Sequence, residues 1–63
     1  MDIEKLKELR RNKGLTQEEL AEKIGITRIY YNYIECGKKQ VGFKTLIKLA
    51  EALGVRVAEL VKD

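Results

Sequence analysis

Residues 16–37 read TQEELAEKIGITRIYYNYIECG, and two helix starts and two helix stops are spelled out in them. Thr16 is a natural N-cap, and Glu19 three residues later completes a T-x-x-E capping box. Good helix formers follow, with Leu20, Ala21 and Ile24 on one face. Gly25 suits the left-handed residue that ends a helix, and Ile26 after it can fold back on the helix it leaves. Thr27 caps a second helix, which Gly37 closes. A turn this short makes the two helices cross steeply.

The second of these helices sorts into two faces by 100° steps. Tyr31 and Ile34 point toward the Leu20/Ile24 face. Arg28, Ile29, Asn32, Tyr33 and Cys36 point the other way, with Tyr30 and Glu35 on the flanks. An outward face that mixes a cation, an amide, Ile29 and Tyr33 suits a partner better than water. Two short helices with a glycine turn and such a face are how a small protein sets one helix into a DNA groove.

The rest of the chain supplies the frame. Residues 2–13 read as a first helix with Asp2 at its start, Ile3, Leu6 and Leu9 inward, and Arg10, Arg11 and Lys13 at its end, an order that suits the helix dipole. Gly14-Leu15 and Gly54-Val55 repeat the glycine-then-apolar stop of Gly25-Ile26. Lys38 follows Gly37 instead, so that turn is expected to face solvent or phosphate. Residues 38–42 read as a loop. A fourth helix is expected from about Phe43 to Leu53, with Phe43, Leu46, Leu49, Ala50 and Leu53 inward. A short fifth, from about Val57 to Lys62, offers Val57, Leu60 and Val61. The expectation is an all-α, five-helix domain spanning residues 1–63, with the helix-turn-helix at about 16–37. At 63 residues it lies near the lower limit for folding without staples.

Composition removes several function classes. There is no His, Ser, Trp or Pro, and one Cys. Neither a nucleophile–base pair nor a His/Cys metal cluster can be assembled, so no enzyme and no cofactor are expected. The lone cysteine excludes an internal disulfide and suits a reducing interior. With no long apolar run, signal peptide or lipidation motif, the reading is a soluble cytoplasmic protein without a membrane partner. No small-molecule inducer is expected to bind within this chain. Charged residues are 37% of the chain at a net charge of +3. The excess is local: Arg28, Lys38, Lys39 and Lys44 stand against Glu35 alone in that stretch, whereas residues 45–63 balance to zero.

The chain resembles the Cro/cI-type (XRE-like) helix-turn-helix family of phage repressors and small bacterial regulators. LKELRRNKGLTQEELAEKIGIT, then YIECGKK, then LIKLAEALGV carry the likeness, with Gln17 opening the first motif helix, Ala21 at the crossing and Ile34-Glu35 ahead of Gly37. The resemblance implies a compact lambda-repressor-like fold. Thr27, Arg28, Ile29, Asn32 and Tyr33 would then face base edges or the adjoining backbone. Gln17 would hydrogen-bond a phosphate, and Lys38, Lys39 and Lys44 would hold the DNA backbone. Arg10 and Glu35 match a pair that forms an internal salt bridge in such repressors, which makes Arg10 structural. Val41-Gly42 stands where the family usually has a proline, Cys36 where Arg, Asn or Lys is usual, and Tyr31 where Ile or Val is usual. RIYYNYIE and KKQVGFKTL look like the controller proteins of restriction–modification systems.

Each side chain has a chemical role and an alternative. Arg28 can fork onto guanine O6 and N7 or clamp a phosphate, and Asn32 can read adenine or bond a phosphate. Ile29 can touch a thymine methyl or simply stand exposed. Tyr33 can bond a phosphate or stack on a neighbour, and Tyr30 reads as half-buried packing. Lys38 and Lys39 would supply affinity without sequence information, unless they are only a solvated loop. Cys36, at the far end of the helix from the bases, reads as inert packing. Glu18, Glu19 and Glu22 form an acidic edge that touches RNA polymerase in activating relatives; capping and dipole chemistry explain it as well.

One recognition helix reads roughly four or five base pairs, against ~10⁶ competing genomic sites, so a homodimer on a palindrome is expected. Ile47, Val57 and Val61 exceed what one small core needs and mark the interface. The sequence thus points to a double-stranded DNA-binding regulator, by default a repressor because repression needs only occupancy. The alternative is an antitoxin-like or other protein-interaction module on the same fold.

Overall fold

The computed structural model describes residues 1–61. In chain order it contains α1 (Ile3–Asn12), α2 (Gln17–Ile24), α3 (Arg28–Glu35), α4 (Phe43–Leu53) and a 3₁₀ turn at Val57–Glu59, with no strand among the described residues. The helix starts are capped by the side chains expected. Asp2 accepts the Lys5 N–H at 3.0 Å. Thr16 accepts from Glu19 N–H at 3.0 Å while Glu19 Oε1 accepts the Thr16 N–H at 2.9 Å, closing the capping box. Thr27 accepts from Tyr30 N–H at 3.0 Å.

All four α-helices end alike. The N–H groups of Leu15, Ile26, Lys38 and Val55 each reach back five residues, to the carbonyls of Arg10, Ala21, Tyr33 and Ala50, at 2.9–3.1 Å. These bonds satisfy carbonyls that a helix end otherwise leaves open. At the turn between α2 and α3 the motif requires Gly25 at φ +76°, where a side chain would be strained.

α2 lies between α3 and α4, α1 packs on α3, and the 3₁₀ turn packs on α4. Leu6, Leu20, Tyr31, Ile34, Leu49 and Leu60 are fully buried in one core cluster, with Ala21 and Ala50 buried among them. The N–H of Asp2 donates to the Leu60 carbonyl at 2.8 Å, tying the start of α1 to the last turn.

Two expectations fail. The fifth helix is only the 3₁₀ turn: the N–H groups of Glu59 and Leu60 bond three residues back, to Arg56 and Val57. Burying Leu60 takes just this one turn, and the β-branched Val57 adds little helical drive. Lys62, the expected end of that helix, lies outside the described residues. Phe43 is 69% exposed rather than inward. It is the first residue of α4, off the centre of the Leu49/Ala50/Leu53 stripe and about a turn and a half ahead of the first fully buried residue, Leu49.

Candidate nucleic-acid interface

The sorting of α3 into two faces holds in three dimensions. Tyr31 and Ile34 are fully buried, and Tyr30 is half-buried on the flank. Ile29 is 59% and Tyr33 40% exposed, Arg28 and Thr27 are exposed, and Asn32 is half-buried. Because Thr27 accepts the Tyr30 N–H, its hydroxyl proton is left to donate outward. Lys38 sits with its ammonium 5.8 Å from the Tyr33 ring centroid, within cation–π range. This contact joins the end of α3 to the loop behind it and leaves the Tyr33 hydroxyl free among the described residues.

The acid of this stretch is not on the surface. Glu35 is 3% and Arg10 8% exposed. Arg10 Nε donates to Glu35 Oε2 at 2.7 Å and Nη2 to Oε1 at 3.3 Å, while Nη1 donates to the Leu15 carbonyl at 2.8 Å. The Tyr31 hydroxyl donates to Oε2 at 2.5 Å, and Gln17 Nε2 to Oε1 at 2.9 Å. Burial by itself raises the Glu35 carboxyl, but the bonds from Arg10, Tyr31 and Gln17 outweigh it and hold the group below its ordinary value. Burial, then the neighbouring Glu35 carboxylate, push the Tyr31 phenol well above its ordinary range. The Glu35 bond likewise strengthens the Arg10 charge.

The electrostatic outcome is simple. With Glu35 neutralised inside, the exposed charges between residues 28 and 44 are Arg28, Lys38, Lys39 and Lys44, all positive. None of the four is in an ion pair among the described residues. The helix flank expected for Glu35 is thus a buried position, and its burial sharpens the basic surface.

The other residues singled out in the sequence take these places. Gln17 does not simply point outward: its carbonyl accepts from Asn32 Nδ2 at 3.1 Å, so it bridges Glu35 and Asn32. Cys36 is exposed rather than packed, its thiol 3.7 Å from Asn32 Oδ1. Glu19 is spent on the capping box, leaving Glu18 and Glu22 as the open part of the acidic edge. Ile47 is half-buried, Val57 is partly used against the core, and Val61 is 49% exposed. Phe43 is the exposed apolar residue that reading by helical stripe missed; its place at the first position of α4 was the available signal.

The family model described as Helix-turn-helix matches residues 6–60. The chain belongs to the Cro/cI-type helix-turn-helix family. It is 42% identical over 62 residues to the HTH-type transcriptional regulator YqaE of Bacillus subtilis, covering 98% of this chain and 53% of that protein. The chain therefore spans about half the length of that helix-turn-helix relative. The restriction–modification controller protein C.AhdI of Aeromonas hydrophila superposes with a TM-score of 0.88 at 41% identity, covering 94% of this chain and 86% of C.AhdI. SinR, the master regulator for biofilm formation, solved in complex with DNA, superposes at 0.87 with 32% identity, covering 94% of this chain and 98% of that one. No helix among the described residues is long and apolar enough to cross a membrane.

Proposed function

We propose that this chain is a sequence-specific double-stranded DNA-binding transcriptional regulator, acting as a repressor, with α3 in the major groove of a palindromic operator. The observation that carries this reading is the stretch from Arg28 to Lys44, whose exposed charges are all basic because its single acid is buried against Arg10. Arg28, Ile29 and Asn32 provide a cation, an apolar contact and an amide for base edges, with Thr27 and Tyr33 beside them. Gln17, Lys38, Lys39 and Lys44 hold the phosphates on either side. The likeness to SinR, solved with DNA, supports the same assignment.

A homodimer doubles the reading length, with half-sites about one helical turn apart. Exposed Val61 and half-buried Ile47 and Val57 form the two-fold surface, to which Phe43 adds a large apolar side chain. Glu18 and Glu22 remain available for a polymerase contact, which repression does not require. Selection of bound duplexes from a random pool at physiological salt tests the reading. An enriched palindrome whose affinity falls steeply with salt is the expected result. Folded protein that enriches nothing, or binds without salt dependence, would move the assignment to a protein partner.

A further inference from the structure

Two amide side chains lie between the buried ion pair and the outer face of α3. Glu35 Oε1 accepts from Gln17 Nε2 at 2.9 Å, and Gln17 Oε1 accepts from Asn32 Nδ2 at 3.1 Å. Chemistry dictates the direction. An ionised carboxylate can only accept, so the end of Gln17 that faces Glu35 must be its NH₂. The Gln17 carbonyl then faces Asn32, which must offer its own NH₂ in return. That leaves Asn32 Oδ1 on the other side, beside the weakly donating Cys36 thiol at 3.7 Å. An amide nitrogen carries two protons, so Asn32 retains one N–H and one carbonyl for a ligand. A buried anion has set the polarity of a surface side chain through two amides.

In the major groove adenine presents an acceptor (N7) beside a donor (N6), which an asparagine answers with one N–H and one carbonyl. Guanine presents two acceptors there, and the carbonyl meets the wrong partner. We propose that Gln17, oriented by Glu35, is a positioning residue that locks Asn32 in its adenine-reading orientation and so sets base preference without touching the base. The inference rests on the DNA-binding role proposed above. An Asn32 free to turn its amide over would have to be ordered at each binding event, and would discriminate less. The relay also explains the residue type at position 17. A carboxylate there would oppose Glu35, and an ammonium would donate to both neighbours and turn Asn32 over.

Gln17→Met keeps the length of the side chain and removes both bonds, while Glu35 retains Arg10 and Tyr31. Asn32→Ala identifies the base pair that Asn32 reads, as the position whose preference it erases in the selected duplexes. There the unaltered protein is expected to favour adenine over guanine by roughly 5- to 150-fold, the range of a bidentate pair. Gln17→Met should bring that ratio close to that of Asn32→Ala, with the ranking at other positions kept. In the DNA-free protein, the Asn32 side-chain amide protons should exchange faster in Gln17→Met, under an otherwise unchanged backbone NMR spectrum. A uniform loss of affinity with the adenine preference intact would reduce Gln17 to a phosphate contact and overturn the proposal. If Asn32→Ala changed no base position, the reading of α3 itself would fail, whatever the amide protons did.

Discussion

Tyr31 and Glu35, one turn apart on α3, are joined by a 2.5 Å hydrogen bond to the same carboxylate oxygen that receives Arg10 Nε at 2.7 Å. Phenol and guanidinium thus converge on Oε2 from α3 and α1, and Gln17 of α2 takes the other oxygen. A buried ion pair contributes little net stability once its desolvation is counted. Its geometric effect is larger: three helices are referred to one carboxylate, and the angle between them is fixed where α3 emerges. That is the reason to expect the pair in a protein whose output is the placement of one helix.

Arg10→Met should be severe. It leaves Glu35 buried without its counter-charge, at a cost of about 3–5 kcal/mol. A chain of 63 residues holds only about 3–9 kcal/mol in all. Urea denaturation should therefore find the variant largely unfolded at low denaturant. A loss below about 1 kcal/mol, the range of an exposed pair, would mean that water reaches Glu35.

Tyr31→Phe should be milder. The ring still fills its fully buried place, and the lost bond is one to a charged acceptor, about 1.5–3 kcal/mol. Removing a donor also lets the Glu35 carboxyl rise, which a pH titration of stability would register.

Stability should fall at both ends of the pH scale. Glu35 is held below its ordinary value of 4.5, so its contribution is complete above that pH and is lost as pH falls toward the depressed folded value, where the unfolded chain binds more protons. Tyr31 is raised from 10.0, so its contribution is complete below that pH and is lost above it, as the unfolded phenol ionises first. Chemical denaturation from pH 3 to 11 should trace a plateau between these limits, and Tyr31→Phe should remove the alkaline fall that Tyr31 causes.

Two glycines should respond in opposite directions. Gly25→Ala meets no atom within 4 Å, so its cost is backbone alone, about 1–2 kcal/mol at φ +76°. Gly42, at φ −73°, caps α4 without a side-chain bond and likewise has open space around it. Gly42→Ser should raise stability by about 0.5 kcal/mol through a cap and a less flexible unfolded chain. Thermal melts of both variants would check the pair of signs.

On DNA, Arg28→Ala and Lys38→Ala should differ in kind. The first should weaken one preferred base position by about 1–3 kcal/mol, the second should weaken all sequences alike and reduce the salt slope by about one. Affinity unchanged by both would place the interface elsewhere on the molecule.

Much of this was legible in the residues themselves. Caps, glycine stops and the two faces of α3 follow from local chemistry, and Thr16, Glu19, Gly25, Thr27, Tyr31 and Ile34 stand as expected. Less legible was whatever depends on distant parts of the chain. Periodicity places Glu35 on a flank; only the resemblance supplied its partner twenty-five residues away. No pattern pairs Gln17 with Asn32, because their contact depends on the crossing of two helices. The failures at Phe43 and at the last turn share a cause: helical stripes say which face turns inward, not where the core stops.

The bond between the Asp2 N–H and the Leu60 carbonyl has a consequence for how such a unit is carried. Residues near the two ends of the described fold stand side by side, so the loop between them is already closed. Spliced into a loop of a host protein, the unit would need only a short linker on each side and would separate its neighbours little. The same closure makes it a candidate for circular permutation, with new ends cut in the exposed 38–40 segment and the old ones joined.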